Sequence, residues 1–214
     1  MPQIGEVHMK KQIALLCFSL AAVSSQATVV FNTFGPGDST SNSGWGYGDL
    51  FDTRVASQFT SSESGTLDVI KVKLLAGGGT GISTVSLFED SGNDIGNLMA
   101  SFTVDVTTAG VKTITNTDPS LELVAGGKYW LEAKSAVGSN VYGGWNINNQ
   151  NVRGFLKFGA VLGNASNPTS TYTVGNNAIL PGFSVEVSPV PEPASMLALG
   201  LVASAVAFRR RKKN

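Results

Sequence analysis

The stretch Ile70-Lys71-Val72-Lys73-Leu74 decides the fold class of this chain. Its apolar side chains alternate with lysines, and successive side chains of a β-strand point to opposite faces of the sheet. The stretch therefore predicts a strand with one face in a core and the other in water. The same alternation recurs around Leu87, Val104, Leu131 and Val185, so strands are expected along most of the chain.

Clusters of turn-forming residues separate these alternating runs, at 77–79, 90–94, 118–119, 126–127 and 146–151. About nine or ten short strands are expected between them, mostly antiparallel, which is typical of an all-β domain. We predict a jelly-roll-like antiparallel β-sandwich over residues 28–188, with a barrel as the second choice. The Gly/Asn-rich region 159–177 is expected to be a long loop.

Charge is distributed unevenly along the 214 residues, although the formal net charge is zero. Seven of the 15 basic residues lie at the two ends, as Lys10, Lys11 and residues 209–213. Thirteen of the 15 acidic residues lie in the central domain, which carries eight basic ones and a net charge of −5. An acidic domain repels phosphate backbones, so nucleic acid is not expected as a partner.

The chain has a single cysteine, Cys17, and a single histidine, His8, both in a segment that we expect to be removed. The mature protein would then lack the nucleophile and base of cysteine and Ser-His-Asp enzymes. It would also lack the preferred ligands of zinc and any disulfide. Carboxylate chemistry and oxygen-ligated Ca²⁺ remain open.

The first 27 residues are predicted to contain a signal peptide. Lys10 and Lys11 form a basic region, an apolar helical region follows, and Ser25-Gln26-Ala27 ends it with small residues. We expect signal peptidase to cut after Ala27. Residues 1–8 do not fit this pattern, so translation is expected to start at either Met1 or Met9.

The last 26 residues, 189–214, have three parts. Val190-Pro191-Glu192-Pro193-Ala194-Ser195 precedes an uncharged run, 196–208, and the basic residues 209–213. Thirteen helical residues at ~1.5 Å each span only ~20 Å of a ~30 Å hydrocarbon layer. The run therefore predicts a short transmembrane helix that holds the protein temporarily, with the basic tail in the cytoplasm.

These three parts resemble the PEP-CTERM sorting signal of exported bacterial proteins. The resemblance implies that Pro191, Glu192 and Pro193 are the motif recognised by exosortase, a membrane protease-transferase of bacteria that make extracellular polysaccharide. It also implies export, transient tethering to the membrane, and delivery to the cell surface or extracellular matrix. A plain C-terminal membrane anchor behind a proline-rich stalk is the alternative.

A second resemblance concerns the central domain. Leu87-Phe88-Glu89-Asp90, a Gly/Asn turn, a strand from Leu98 to Val106 and Ala125-Gly126-Gly127-Lys128-Tyr129-Trp130-Leu131 are similar to choice-of-anchor domains of surface proteins. The resemblance implies that residues 125–131 form a turn and a strand near the core of a sandwich. It implies no activity.

Four aromatic residues flanked by glycine are candidates for stacking on sugar rings: Trp45, Tyr47, Tyr142 and Trp145. Flanking glycines leave a ring face unobstructed, and Asn146 and Asn148 are near enough in sequence to bond hydroxyl groups. The alternative is that these rings fill the ends of the core, as large aromatics often do. Trp130, inside a predicted strand, is expected to be structural.

No cofactor is expected, although Asp90, Asn93 and Asp94 are candidate oxygen ligands for Ca²⁺. The alternative is a hairpin turn that uses Asp and Asn for its own hydrogen bonds. No carboxylate pair stands out as a glycosidase acid and base, so an enzyme is not expected. The sequence thus favours a structural or adhesive surface protein in exopolysaccharide, with a carbohydrate-binding module and a small carboxylate hydrolase as alternatives.

Overall fold

A computed structural model of the chain describes residues 26–48, 53–78, 81–136, 141–160 and 173–189. None of these residues belongs to a helix with the length and hydropathy needed to cross a bilayer. Residues Ala27–Val190 form one compact unit. The predicted signal helix and the predicted transmembrane helix lie outside the described residues.

Most of the described residues lie in β-strands, and every pairing between these strands is antiparallel. The strands are β1 Thr28–Asn32, β2 Gly44–Gly48, β3 Thr53–Thr60, β4 Gly65–Gly78, β5 Ile82–Asp90, β6 Ile95–Asp105, β7 Gly110–Thr115, β8 Glu122–Leu123, β9 Lys128–Ser135, β10 Tyr142–Asn146, β11 Arg153–Ala160, β12 Thr173–Ile179 and β13 Phe183–Ser188.

The first layer of the fold is organised around the long strand β4. Val72 pairs with Phe183 of β13 on one edge and with Lys112 of β7 on the other. Leu74 likewise pairs with Trp145 of β10 opposite β7. β13 and β10 therefore follow one another along one edge of β4, and β1 and β2 extend them outward. β8 joins the β7 edge.

The second layer is a six-stranded succession, β12-β11-β3-β9-β5-β6. Ala56 of β3 pairs with β11 on one edge and β9 on the other, and Ala133 of β9 pairs with both β3 and β5. A single pair, Gly48 with Thr53, connects β2 to β3 and so joins the two layers.

The continuous sheet is folded over at this junction. Strands β2 and β5 are separated by β3 and β9, about 14 Å in a flat sheet. Yet the hydroxyl groups of Tyr47 on β2 and Ser83 on β5 lie 3.0 Å apart. The Phe59 ring of β3 also packs edge-on against Phe183 of β13, at 5.9 Å between centroids. One hydrophobic core therefore lies between the two layers.

The alternation that predicted the strands is visible in this core. Ile70, Val72 and Leu74 are all fully buried, whereas Lys71 and Lys73 lie half-buried on the opposite face. β9 departs from the pattern, because its outward-facing Trp130 and Glu132 are also buried. The all-β, antiparallel class was thus predicted correctly, while the jelly-roll connectivity stays a prediction.

Two predictions about the strands were wrong. The described residues contain thirteen strands instead of nine or ten, because glycine-rich segments such as β2 have no alternation of apolar and polar side chains to reveal them. The expected loop 159–177 is strand at both ends, since β11 reaches Ala160 and β12 begins at Thr173. Residues 161–172 lie outside the described part of the chain.

Candidate functional site

Two of the four aromatic candidates lie in the core. Trp145 is fully buried, packs against Phe183 at 5.5 Å between centroids, and donates a hydrogen bond from Nε1 to the Gly182 carbonyl at 3.0 Å. Tyr47 is also buried, and burial raises the pKa of its hydroxyl group despite the hydrogen bond with Ser83. Neither ring has an open face in this structure, as the core-filling alternative expected.

Trp45 is partly buried and packs against the core. It pairs directly with Trp145 across β2 and β10, so both side chains point to the same, inner face. Its ring lies 5.8 Å from Phe158 of β11, and Nε1 donates to the carbonyl of Ile179 at 3.2 Å. The side chain is half-buried, and its polar edge is already bonded.

Tyr142 is the aromatic candidate that the structure leaves open, with 45% of the residue exposed. It lies on the outer face of β10 opposite Gly48 of β2. A Cβ atom on Gly48 would lie only 2.9 Å from Cδ1 of the Tyr142 ring, so the ring covers this glycine closely. The sheet thus presents an aromatic ring whose other side faces solvent.

The neighbouring positions on this outer face carry almost no side chains. Gly44, Gly46 and Gly144 lie on the same face as Tyr142, and the Leu75 side chain covers Gly44 and Gly144. A Cβ atom on Gly46 would meet nothing closer than the Gly143 carbonyl oxygen at 3.9 Å. A bare step of backbone at Gly46 therefore lies between Leu75 and Tyr142, and we call these three residues the Tyr142 platform.

The candidate cation ligands lie in the turn between β5 and β6. Gly92 and Asn93 both have positive φ, and the Ser91 amide donates to the Asp94 carbonyl, as expected for a tight hairpin turn. The Asn93 amide donates to Oδ2 of Asp90 at 3.1 Å. The local backbone therefore uses these side chains as the turn alternative expected.

The carboxylate of Asp90 accepts hydrogen bonds from two other strands, β9 and β3. Its Oδ1 accepts hydrogen bonds from Nε1 of Trp130 on β9 at 2.8 Å and from Nε2 of Gln58 on β3 at 2.6 Å. Burial alone would raise the pKa of Asp90, but these bonds, that from the Asn93 amide and the charge of Lys128 together lower it. Asp90 thus anchors the turn to the outer face of the second layer.

Lys157 of β11 holds the other end of the same turn. Only 4% of this residue is exposed, its ammonium contacts Oδ1 of Asp94, and it lies 5.3 Å from the centroid of the Trp130 ring. The hydrogen bonds from Lys157 and from the Ile95 amide lower the pKa of Asp94. A charged side chain is costly to bury unless it is paired, and this contact supplies a partner.

These contacts bear on the candidate Ca²⁺ site. Asp90, Asp94 and Asn93 offer oxygen atoms, but each already accepts a hydrogen bond from Trp130, Gln58 or a lysine. A cation would have to displace ammonium groups of like charge. The described residues contain no cluster of three or more His, Cys, Asp or Glu side chains placed to hold a metal.

No sequence pattern indicated a role for Gln58 and Lys157 at this turn. They come from β3 and β11, far along the chain from the turn that they hold, and meet it only because the register of the second layer brings them there. Neither residue lies in a short-range motif. Trp130 was expected to be structural. In the structure its Nε1 donates to Asp90, and the Lys157 ammonium lies over its ring.

The C-terminal end of the chain matches a known family model. Residues 189–212 carry a PEP-CTERM protein-sorting motif. This match confirms the resemblance seen in the three-part tail, and it covers about a tenth of the chain. The side chains of Pro191, Glu192 and Pro193 lie outside the described residues.

The central domain was compared with curated proteins and with solved structures. No curated protein matches the chain. Among solved structures it is similar to a chitosan-binding module from a chitosanase/glucanase of Paenibacillus sp. IK-5, at 20% sequence identity and a TM-score of 0.31. The alignment covers 58% of this chain and 92% of that module. A likeness of this size carries no argument about the ligand of the present domain.

Proposed function

We propose that the protein is exported, held briefly in the membrane by its C-terminal tail, and sorted by exosortase to the cell surface or extracellular matrix. The observation that carries this proposal is the PEP-CTERM motif at residues 189–212. Signal peptidase would act first, after Ala27. Exosortase would then act near Pro191, Glu192 and Pro193, and the basic tail would stay behind in the cytoplasm.

The placement of the core is consistent with processing at both ends. Among the described residues, the hydrophobic core extends from Val30 to Val187, inside the compact unit Ala27–Val190. A domain that buries its own core can fold without its flanking segments. Removal of the predicted signal peptide and tail would therefore leave the domain intact. We infer a jelly-roll-like sandwich with a structural or adhesive, non-enzymatic role among exopolysaccharide chains.

The sorting proposal is tested with the full-length protein in a bacterium that has exosortase and in a strain that lacks it. We expect the wild-type protein at the surface in the first strain and in the membrane fraction in the second. Glu192→Ala should behave like the strain without exosortase, because the recognised motif is changed. Glu122→Ala, an exposed carboxylate of the domain, is the matched control.

Two results would contradict this assignment. Equal surface delivery with and without exosortase would show that the tail is a plain anchor or plays no part. Normal processing of the Glu192→Ala variant would show that the Pro-Glu-Pro segment is not the recognised element.

The Tyr142 platform favours carbohydrate binding as a second candidate function. An exposed aromatic ring beside bare backbone allows a flat sugar ring to stack and to approach backbone groups closely. Tyr142 is the residue among the four aromatic candidates that combines substantial exposure with such a surface. The partner proposed here is a neutral or cationic exopolysaccharide, because the domain itself carries a net charge of −5.

A glycan-binding screen on residues 27–189 tests this candidate with two variants. Tyr142→Ala removes the ring, and Gly46→Val fills the bare step, where a Cβ atom would meet nothing closer than 3.9 Å. Each variant should weaken binding by about tenfold or more, as expected for loss of a central aromatic contact. Val124→Ala, which truncates another exposed apolar side chain, should bind like the wild type.

The outcome separates the two functions. Binding that survives both changes would place any sugar elsewhere on the domain. Absence of binding to every polysaccharide by the folded domain would leave the structural, sorted surface protein as the better account.

A further inference from the structure

Strand β6 is the outermost strand of the second layer. It has 11 residues, and among the described residues its strand partner is β5 alone. Its pairing with β5 shifts register twice between Ile95 and Ala100 and is regular from Ala100 to Asp105. No described strand therefore pairs with the backbone N–H and C=O groups on the far edge of this regular part, and such groups can pair with an incoming strand.

The part of this edge from Ala100 to Asp105 lacks lysine and proline, and the two register shifts of β6 lie before it. Long edge strands are commonly protected by lysine, by proline or by being short. β6 contains neither lysine, arginine nor proline, and its one charged residue is Asp105 at the end. Leu98 is 58% exposed on the same strand. β7, the facing edge of the first layer, does carry a lysine, Lys112.

A groove runs along the free edge of β6. It has a volume of about 620 Å³ and is lined by residues 101–105 of β6 and 111–115 of β7. Val104 and Ile114 are buried beneath it and Phe102 is half-buried. Five residues of strand extend over about 17 Å, so each wall is long enough to guide an incoming strand. Such a strand would gain backbone hydrogen bonds from β6 and apolar contacts from the groove.

We propose that the incoming strand is β6 of a second copy of this protein, paired antiparallel about a two-fold axis. The six-stranded second layers of the two copies then become one continuous sheet. In such a pair Asp105 faces Asp105 only if the axis passes through that residue, so other registers bring no like charges of β6 together. A two-fold interface also uses the same surface on both partners, which this neutral edge provides.

The pairing gives the domain a way to assemble that is independent of its sorting tail and of the Tyr142 platform. β6 belongs to the second layer, whereas the platform lies on the outer face of the first layer. Copies delivered to one surface could therefore pair through β6 while the platform stays open. The assembly would form at high local concentration, as edge pairing between folded domains buries little apolar area.

The first test measures the mass of the full-length protein, kept in a mild detergent, by sedimentation over a range of concentrations. Leu98→Lys/Thr103→Lys places two lysines on exposed positions of the edge. Thr117→Lys/Val124→Lys likewise replaces one threonine and one aliphatic residue by lysine, at exposed positions between β7 and β9. We expect concentration-dependent dimers for the wild type and the control, and at least tenfold weaker dimerisation for the edge variant. Circular dichroism checks that both variants are folded.

The second test uses the wild-type protein alone. Backbone amide hydrogen exchange within Ala100–Asp105 should slow as protein concentration rises, because half of these groups become paired in the dimer. Exchange in β1, a short edge strand of the first layer, serves as the internal reference.

Three results would overturn the proposal. The first is a wild-type protein that stays monomeric at the highest concentration. This result overturns the proposal even if the edge binds a different peptide. Dimers that form equally well in the edge variant would place the contact elsewhere. Added protection that maps outside β6 would lead to the same conclusion.

Discussion

Trp145 and Tyr142 lie three residues apart in β10, yet the structure gives them opposite roles, and truncating each to alanine tests this difference. Trp145 is fully buried between the layers, and Tyr142 is half-exposed on the outer face. Removing a buried Trp costs about 3–5 kcal/mol through lost contacts and the cavity that remains. The Gly182 carbonyl loses the Trp145 Nε1 donor but keeps the Lys73 amide at 3.1 Å, so no acceptor is orphaned.

Trp145→Ala is therefore expected to destabilise the domain by about 3–5 kcal/mol, which corresponds to roughly 6–20 °C in Tm for a domain of this size. Tyr142→Ala should cost about 1 kcal/mol or less, because its ring is half in water and covers a single glycine. Urea unfolding of residues 27–189, followed by tryptophan fluorescence and by circular dichroism, measures both changes. Fluorescence amplitudes are compared within each variant, because Trp145→Ala removes one fluorophore.

Either of two results would contradict the opposite roles of Trp145 and Tyr142. A loss below about 1 kcal/mol for Trp145→Ala would mean that this ring does not fill the core. An equal loss for both variants would mean that the outer face of β10 is as buried as its inner face.

Three further predictions concern residues around these strands. Gly143→Ala would bring a Cβ atom within 2.5 Å of the buried Tyr47 ring, so it should lower the free energy of unfolding in urea by about 1–3 kcal/mol. Gly46→Ala, the control, should cost little because a Cβ atom there meets nothing closer than 3.9 Å. Equal costs would contradict the packing of Tyr47 against Gly143. Trp130→Phe removes the Nε1 donor to Asp90 and should cost about 1–2 kcal/mol, and a neutral result would mean that this hydrogen bond does not anchor the turn. The lowered pKa of Asp90 stabilises the fold above the unfolded-state pKa of about 3.9, and this contribution is lost as pH falls through the lower folded-state value. Asp90→Asn should therefore flatten the acid side of a stability–pH curve measured between pH 2 and 7, and an unchanged acid slope would count against it.

Local sequence pattern was sufficient for the strands whose two faces differ in polarity. The alternation at Ile70, Val72 and Leu74 predicted β4, because burial on one face and water on the other select alternating residue types. The same reasoning failed for β2, where glycine at alternate positions leaves no polarity contrast. It also failed for β12, whose residues read as a turn-rich loop and become strand by pairing with β11.

The sequence by itself determined the all-β class, the acidic central domain and the sorting tail. Each of these three properties depends on residue composition or on a contiguous motif, and none requires knowledge of which segments meet. The tertiary structure alone decided which aromatic rings are buried, because Tyr142 and Trp145 have similar glycine-rich neighbours in sequence. It also decided the partners of Asp90 and the edge of β6 that no other described strand covers. Strand order and register place distant residues side by side, and no local pattern encodes that order.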